Sequence, residues 1–296
     1  MLGGLSREMV KPECEPERER GDCMNIGIIG AGKMGEIMIQ GLARSSKKGK
    51  HKIQATTRSA ESAREITQKF SIDCHTDNLK LISSSEVILL CTKPHQAGPI
   101  IQAAAACFGS SQLLISICAS VSTKQLKDWM GDTHAKQIPV VRAMPNTPCM
   151  IGEGMTVFCL GEHAQQKHLK TAEEIFSPLG KTAVIEEALM DGATGLSGCG
   201  PAYVYMIIEA LSEAGVKVGL PRKIATLLAA QTLTGAAQMV LQRGEHPAAM
   251  KDEVTTPAGC TIDGLMALEE GKLRVTLIKA VLAASQRSKN LRESQG

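Results

Sequence analysis

Asn25-Ile26-Gly27-Ile28-Ile29-Gly30-Ala31-Gly32-Lys33-Met34-Gly35 is the stretch on which the fold turns. Ile26, Ile28 and Ile29 read as a short buried strand, and Met34, Ile37, Met38 and Leu42 recur behind it at helical spacing. Between them Gly30, Gly32 and Gly35 keep the G-x-G-x-x-G spacing, in the strand, turn and helix context that dinucleotide binding requires. Gly30 permits the tight turn, Gly32 lets a pyrophosphate reach the backbone, and Gly35 lets the helix close on the strand. The N–H groups at the helix start then face the phosphate charge. A glycine turn in some other α/β protein is the plainer alternative. The flanking strand and helix favour the dinucleotide.

Working outward, helix one is expected to end near Gly49, and His51 to Thr57 reads as a second strand. An NAD site places an acid ~20 residues past the glycines, on the ribose 2′-OH. Thr56-Thr57-Arg58-Ser59 stand there instead. A guanidinium with hydroxyl neighbours suits a 2′-phosphate, so NADPH is expected ahead of NADH. The alternative is a solvated surface arginine. A helix over Ser62–Phe70 and a short strand over Ile72–Cys74 lead to Asp77-Asn78. Val87–Cys91 and Leu113–Cys118 are apolar runs of the kind buried parallel strands show, and Val140-Val141-Arg142-Ala143 reads as a further strand. They break into Thr92-Lys93-Pro94, Ala119-Ser120 and Met144-Pro145-Asn146-Thr147-Pro148. Ligands of doubly wound sheets gather at such carboxyl ends. Lys93 reads as a backbone-dominated cofactor contact, with a catalytic amine or a surface lysine as alternatives. Met155–Leu160 and Ala183–Ile185 add edge strands, with a helix over residues 164–178 between them.

The composition shifts after Glu186-Glu187. From Pro201 to Arg243 the chain is rich in Ala, Leu, Ile and Met, which predicts two or more helices broken at Gly215–Pro221. Helices apolar on several faces predict association, as a symmetric dimer. Gly195-Leu196-Ser197-Gly198-Cys199-Gly200-Pro201-Ala202-Tyr203 nearly matches the hydrolase elbow G-x-S-x-G. Cys199 takes the last glycine place and no strand leads in, so a glycine-rich turn ahead of a long helix is expected. Val254-Thr255-Thr256-Pro257-Ala258-Gly259-Cys260-Thr261 leads into a helix around Leu265–Glu269. It reads either as an anion-binding loop or as an ordinary helix start capped by Thr255 or Thr256. The expected organisation is a polar disordered tail over 1–23, an α/β Rossmann-type dinucleotide-binding domain over 24–186, and an all-α dimerisation domain over 187–296, to which the family resemblance given below adds substrate binding.

The 296 residues include only one Trp, two Tyr and four Phe, so small aliphatic residues must fill the core. Charge is mixed with a net of +3, and no basic stripe with interleaved aromatics points to nucleic acid. No apolar run is read as long enough for a membrane span. Ten scattered cysteines form no C-x-x-C pair, and Cys91 and Cys118 lie in apolar runs, as reduced intracellular thiols do. Glu13, Glu15, Glu17 and Glu19 speak against a mitochondrial transit peptide, so a cytoplasmic protein is expected ahead of a mitochondrial one. No metal site is expected from the dispersed histidines; His163 and His168 fall off one helical face. Nor is a His–carboxylate dehydrogenase pair visible, which favours a substrate that is already electrophilic, such as an imine.

Taken with Thr92-Lys93-Pro94, Met144–Pro148, Leu196–Tyr203 and Asp252–Thr261, the opening stretch resembles the pyrroline-5-carboxylate reductases over residues 25–290. The resemblance implies a Rossmann domain, a helical dimerisation domain and a ring of dimers, a decamer. It implies reduction of 1-pyrroline-5-carboxylate to L-proline, the last step of proline synthesis. It places the pyrophosphate on Ile29, Gly30, Ala31, Gly32, Lys33 and Met34. The adenosine ribose phosphate falls to Thr57, Arg58 and Ser59, and the adenosine side to Asn78. Cys91, Thr92, Lys93, Pro94, Ile117, Cys118 and Ala119 take the nicotinamide end. Substrate falls to Gly259, Cys260 and Thr261, with Glu187 nearby, and Thr261 is the catalytic candidate. Three places depart from the pattern: Cys199 for a serine, Ser120 for a glycine, and Glu253 for an Asn that contacts the cofactor in some members, a contact not carried over. The chain's end near residue 290 fits the shorter, cytoplasmic-type form. The rivals are another NADPH-dependent imine or β-hydroxyacid oxidoreductase, and a non-catalytic NADPH sensor.

Overall fold

The computed structural model describes residues 23–45 and 51–294. The tail reading over 1–22 and the helix end expected near Gly49 lie outside the described residues. The first half runs β1 (Met24–Ile29), α1 (Lys33–Ser45), β2 (His51–Thr56), α2 (Ala60–Phe70), β3 (Asp73–His75), α3 (Asn78–Ser84) and β4 (Val87–Leu90). It continues with α4 (Pro94–Ala104), β5 (Leu113–Ser116), α5 (Thr123–Trp129), β6 (Val140–Met144), β7 (Gly154–Leu160), α6 (Gln166–Phe176) and β8 (Gly180–Val184). The eight strands among the described residues form one sheet in the order β3-β2-β1-β4-β5-β6-β7-β8. β1 to β6 are parallel, β7 is antiparallel to β6, and β8 is parallel to β7. The strand order reverses between β1 and β4, which opens a crevice at their carboxyl ends.

Period-two alternation explains the burial. Ile26, Ile28, Leu89, Ile115 and Val141 pack with Ile37 and Met38 of α1 on one face. Ile29, Ile88, Leu90, Leu114 and Val140 pack with residues of α3, α4 and α5 on the other. With both faces covered, every residue of β4 and β5 is buried. At ~1.5–3 kcal/mol per buried large aliphatic side chain, these strands fix the sheet and hence the crevice. Gly27 is required by the close seat of α3, because a Cβ there would lie 2.5 Å from Leu81 Cδ2 and 2.3 Å from Ser85 Oγ. α2 starts two residues earlier than expected, because the Ser59 side chain accepts from Ser62 N and caps it.

The second half is helical: α7 (Met190–Ala193), a π-helical segment Thr194–Gly198, α8 (Gly200–Lys217), α9 (Arg222–Arg243), α10 (Pro247–Glu253), α11 (Cys260–Glu270) and α12 (Leu273–Glu293). The expected break between two long helices falls at residues 218–221, with Gly219 at φ +100°. Two expectations are corrected. Residues 195–203 form no turn; they continue from α7 into α8. A Cβ on Gly195 would lie 2.8 Å from Val281 O, so this glycine admits the backbone of α12. Neither threonine caps α11. Gly259 is its N-cap, and the Thr255 hydroxyl instead donates to Lys251 O at 2.7 Å.

In a single chain α8 buries only Ser212, α9 only Ala225 and Ala229, α12 only Ser288, and α10 and α11 bury none. Met206, Leu227, Leu228, Met266, Ile278 and Leu282 are exposed. Contrary to the reading that no run is of that size, α9 is long and apolar enough to cross a membrane by length and composition. The reason is that no charged residue stands between Lys223 and Arg243.

Candidate active site

The loop from β1 to α1 stands at the crevice. Gly30 has φ +93°, a conformation that favours glycine. Its N–H and that of Ala31 both donate to Thr56 O, at 3.0 and 2.9 Å, which fastens the turn to the end of β2. A Cβ on Gly35 would lie 2.3 Å from Gly30 O, so α1 begins hard against the turn. At Gly32 an added Cβ would meet nothing within 4 Å. Gly32 and Lys33 are exposed and Met34 is half-buried. The backbone at the start of α1 is thus bare on its outer side, and the space fits a dinucleotide pyrophosphate beside N–H donors.

At the neighbouring strand ends, Thr57 N donates to His75 O at 3.0 Å and its hydroxyl to Ser59 O at 3.0 Å. Arg58 is exposed between them. Asn78 opens α3, where Asp77 Oδ1 accepts from Leu79 N and Lys80 N, each at 3.0 Å. Because β2 pairs with β3 through Thr56 and His75, Thr57–Ser59 and Asn78 share one rim of the sheet.

On the other side of β1, Cys91 N donates to Ile29 O at 2.8 Å and Ile117 N to Leu90 O at 3.0 Å. Cys118 Sγ lies 3.3 Å from Thr92 O. A Cβ on Gly30 would lie 2.9 Å from Thr92 Cγ2, so the loops after β1, β4 and β5 meet. Burial pushes both the Cys91 and Cys118 thiols up, which leaves them protonated and poor nucleophiles near neutrality. Lys93 is exposed and is the N-cap residue of α4, with Pro94 in its first turn. Its N–H donates to Gln96 Oε1 at 3.3 Å.

Glu187 lies against the start of α5, just beyond the loop after β5. Its carboxylate accepts from Thr123 N at 2.8 Å and from the Thr123 hydroxyl, and lies 3.3 Å from Arg142 Nη1. Arg142 is 1% exposed. Glu187 therefore neutralises a buried arginine and fastens the start of α5. Gly259, Cys260 and Thr261 stand together at the start of α11, where Cys260 and Thr261 are exposed. Within one chain α11 packs chiefly on α12. Glu253 forms a two-pronged ion pair with Arg243, at 2.8 and 2.7 Å, which holds its carboxyl below the usual range.

Two residues that bind the halves together were not singled out as site residues. Arg142 has no signal beyond a charge in an apolar run. Asn146, within its proline-flanked loop, donates from Nδ2 to Ser197 O at 3.2 Å and accepts from Met155 N at 2.9 Å. It thereby joins the end of β6 to the π-helical segment. A separate cleft of about 570 Å³, lined by Lys124, Lys127, Lys136 and Glu162 among others, contains none of the candidate residues. Its lysines face acids: Lys124 pairs with Asp128 at 2.7 Å and Lys127 with Glu162 at 3.7 Å.

Residues 187–291 match the family described as "Pyrroline-5-carboxylate reductase dimerisation". Residues 25–120 match that described as "NADP oxidoreductase coenzyme F420-dependent". A pyrroline-5-carboxylate reductase of Arabidopsis thaliana is 36% identical over 273 residues, covering 92% of this chain and 97% of the relative. The crystal structure of Plasmodium falciparum pyrroline carboxylate reductase with NADP bound superposes with a TM-score of 0.80 at 33% identity, over 91% of this chain and 98% of that one. A pyrroline-5-carboxylate reductase structure from Coxiella burnetii gives a TM-score of 0.82 at 32% identity, over 90% and 98%.

Proposed function

Because the chain belongs to the pyrroline-5-carboxylate reductase family, we infer how its own residues carry out that family's reaction, the NAD(P)H-dependent reduction of 1-pyrroline-5-carboxylate to proline. The observation that carries the inference is the cradle between Gly30, in its left-handed turn, and the open backbone at Gly32. N–H groups at the start of α1 hold the pyrophosphate. Thr57, Arg58 and Ser59 take the ribose 2′-phosphate, which favours NADPH over NADH by charge. Cys91–Pro94 and Ile117–Ala119 shape the nicotinamide end. When bound, the reduced nicotinamide supplies the hydride that the imine carbon accepts.

Backbone N–H groups around Gly259–Thr261 hold the substrate carboxylate at the start of α11. The Thr261 hydroxyl hydrogen-bonds the ring nitrogen and keeps the ring in place. The imine is protonated from water, so no side chain of strong acid or base character is needed. The chain's contribution is proximity and orientation. α11, which carries Thr261, packs chiefly on α12 within one chain, so a second copy is taken to complete the site: α8–α12 of two chains pair, and such dimers assemble further into a decameric ring. The buried free thiols Cys118, Cys149 and Cys159 are compatible with a reducing compartment, and the protein is read as cytoplasmic. A fluorescent fusion found in mitochondria would overturn that placement.

The test is pyrroline-5-carboxylate-dependent oxidation of NADPH, followed by absorbance. Wild type turns over, Thr261→Ser keeps most of its kcat/KM, and Thr261→Ala loses about tenfold to a hundredfold, the ~1.5–3 kcal/mol of one hydrogen bond to a charged group. NADPH affinity is unchanged in both variants. Full activity in Thr261→Ala removes the hydroxyl from the mechanism. A wild type that binds NADPH without oxidising it makes the protein a sensor.

A further inference from the structure

Ser120 lies one residue beyond Ile117–Ala119, buried and at φ +57°. A non-glycine residue in this left-handed region is disfavoured by about tenfold in population unless its surroundings hold it. Ser120 occupies the place where the family resemblance expects a glycine, which would adopt the conformation unaided. The Ser120 hydroxyl lies 3.3 Å from that of Ser288 on α12. Ser288 donates to Asp191 Oδ1 at 2.8 Å. Its proton is thereby committed, so Ser120 is the donor in the first bond. Asp191 Oδ2 pairs with Arg292 Nη2 at 3.0 Å. One turn along α12 from Ser288, the carbonyl of Arg292 accepts from Gln125 Nε2 at 3.0 Å. Gln125 completes the capping box that starts α5. Helix α12 thus grips the segment from β5 to α5 at both Ser120 and Gln125.

We propose that Ser288, oriented by Asp191, is a positioning residue for the reductase reaction: it holds Ser120 left-handed and so sets the loop that receives the nicotinamide end of the cofactor. This rests on the reading of Ile117–Ala119 given above. Without the bond, the loop spends part of its time in other conformations. Apparent cofactor affinity then falls by the competent fraction.

The experiment measures NADPH Kd by cofactor fluorescence, and kcat at saturating NADPH, for Ser288→Ala in two backgrounds. In wild type the change raises Kd about tenfold and alters kcat less than twofold. In a Ser120→Gly background the same change shifts Kd less than twofold, because glycine holds the turn without the bond. A merely structural contribution of Ser288 would act alike in both backgrounds. Equal Kd effects, or no effect in wild type, overturn the proposal. A wild type that binds NADPH yet makes no proline overturns the functional reading alone, since the comparison is read on affinity. A wild type that binds no NADPH overturns both.

Discussion

A methyl group added at Gly32 would meet nothing within 4 Å, whereas one at Gly35 would sit 2.3 Å from a backbone oxygen. The two substitutions therefore separate binding from folding. Gly32→Ala keeps the melting temperature of wild type and weakens NADPH at least tenfold, because the methyl occupies the space of the pyrophosphate. Gly35→Ala forces α1 off the turn and destabilises the protein by roughly 1–3 kcal/mol, with cofactor binding lost alongside. Thermal melts beside fluorescence titrations check both, and a lowered melting point in Gly32→Ala would refute the open cradle. At this scale the glycines were legible because the missing side chain is itself the constraint. Glu187 was not. Its partners Thr123 and Arg142 lie 64 and 45 positions away, and nothing in its immediate neighbours marks it as their counter-charge.

Between elements, α12 comes close to the π-helical segment at Gly195. Alanine at Gly195 would bring a methyl within 2.8 Å of Val281 O and 2.9 Å of Ser285 N, both backbone atoms that cannot rotate aside. Gly195→Ala is expected to cost about 1–3 kcal/mol and also to weaken NADPH, since α12 carries Ser288 and Arg292. Circular dichroism melts with cofactor titration test this; an unchanged melting point would mean that α12 yields freely. Strands β4 and β5 were readable to within one or two residues because buried parallel strands are continuous apolar runs, and β6 was readable from Val140-Val141 and the proline-flanked loop that ends it. Residues 195–203 were misread because glycines that admit a neighbouring helix are written with the same letter as glycines that turn the chain. Likewise Thr255 and Thr256 have the composition of a cap, but Thr255 spends its hydroxyl inside α10.

For the whole molecule, the bare helices α8–α12 are the dominant feature. A soluble monomer rarely exposes so extensive an apolar surface. Association predicts that light scattering finds no folded single chain at micromolar concentration, and that dilution lowers the melting temperature by mass action. A stable, active monomer would sink the pairing. That the second half associates was legible from helices apolar on several faces. Which face of α9 meets the partner was not, because its apolar residues are spread around the whole helix. Most of the exposed large hydrophobic residues sit in one half and the cofactor crevice in the other. Inheritance should follow that division. A copy of the gene damaged only in the glycine loop still makes intact pairing helices, captures normal subunits and behaves as a dominant allele. A copy truncated before α8 captures none, and its loss is recessive.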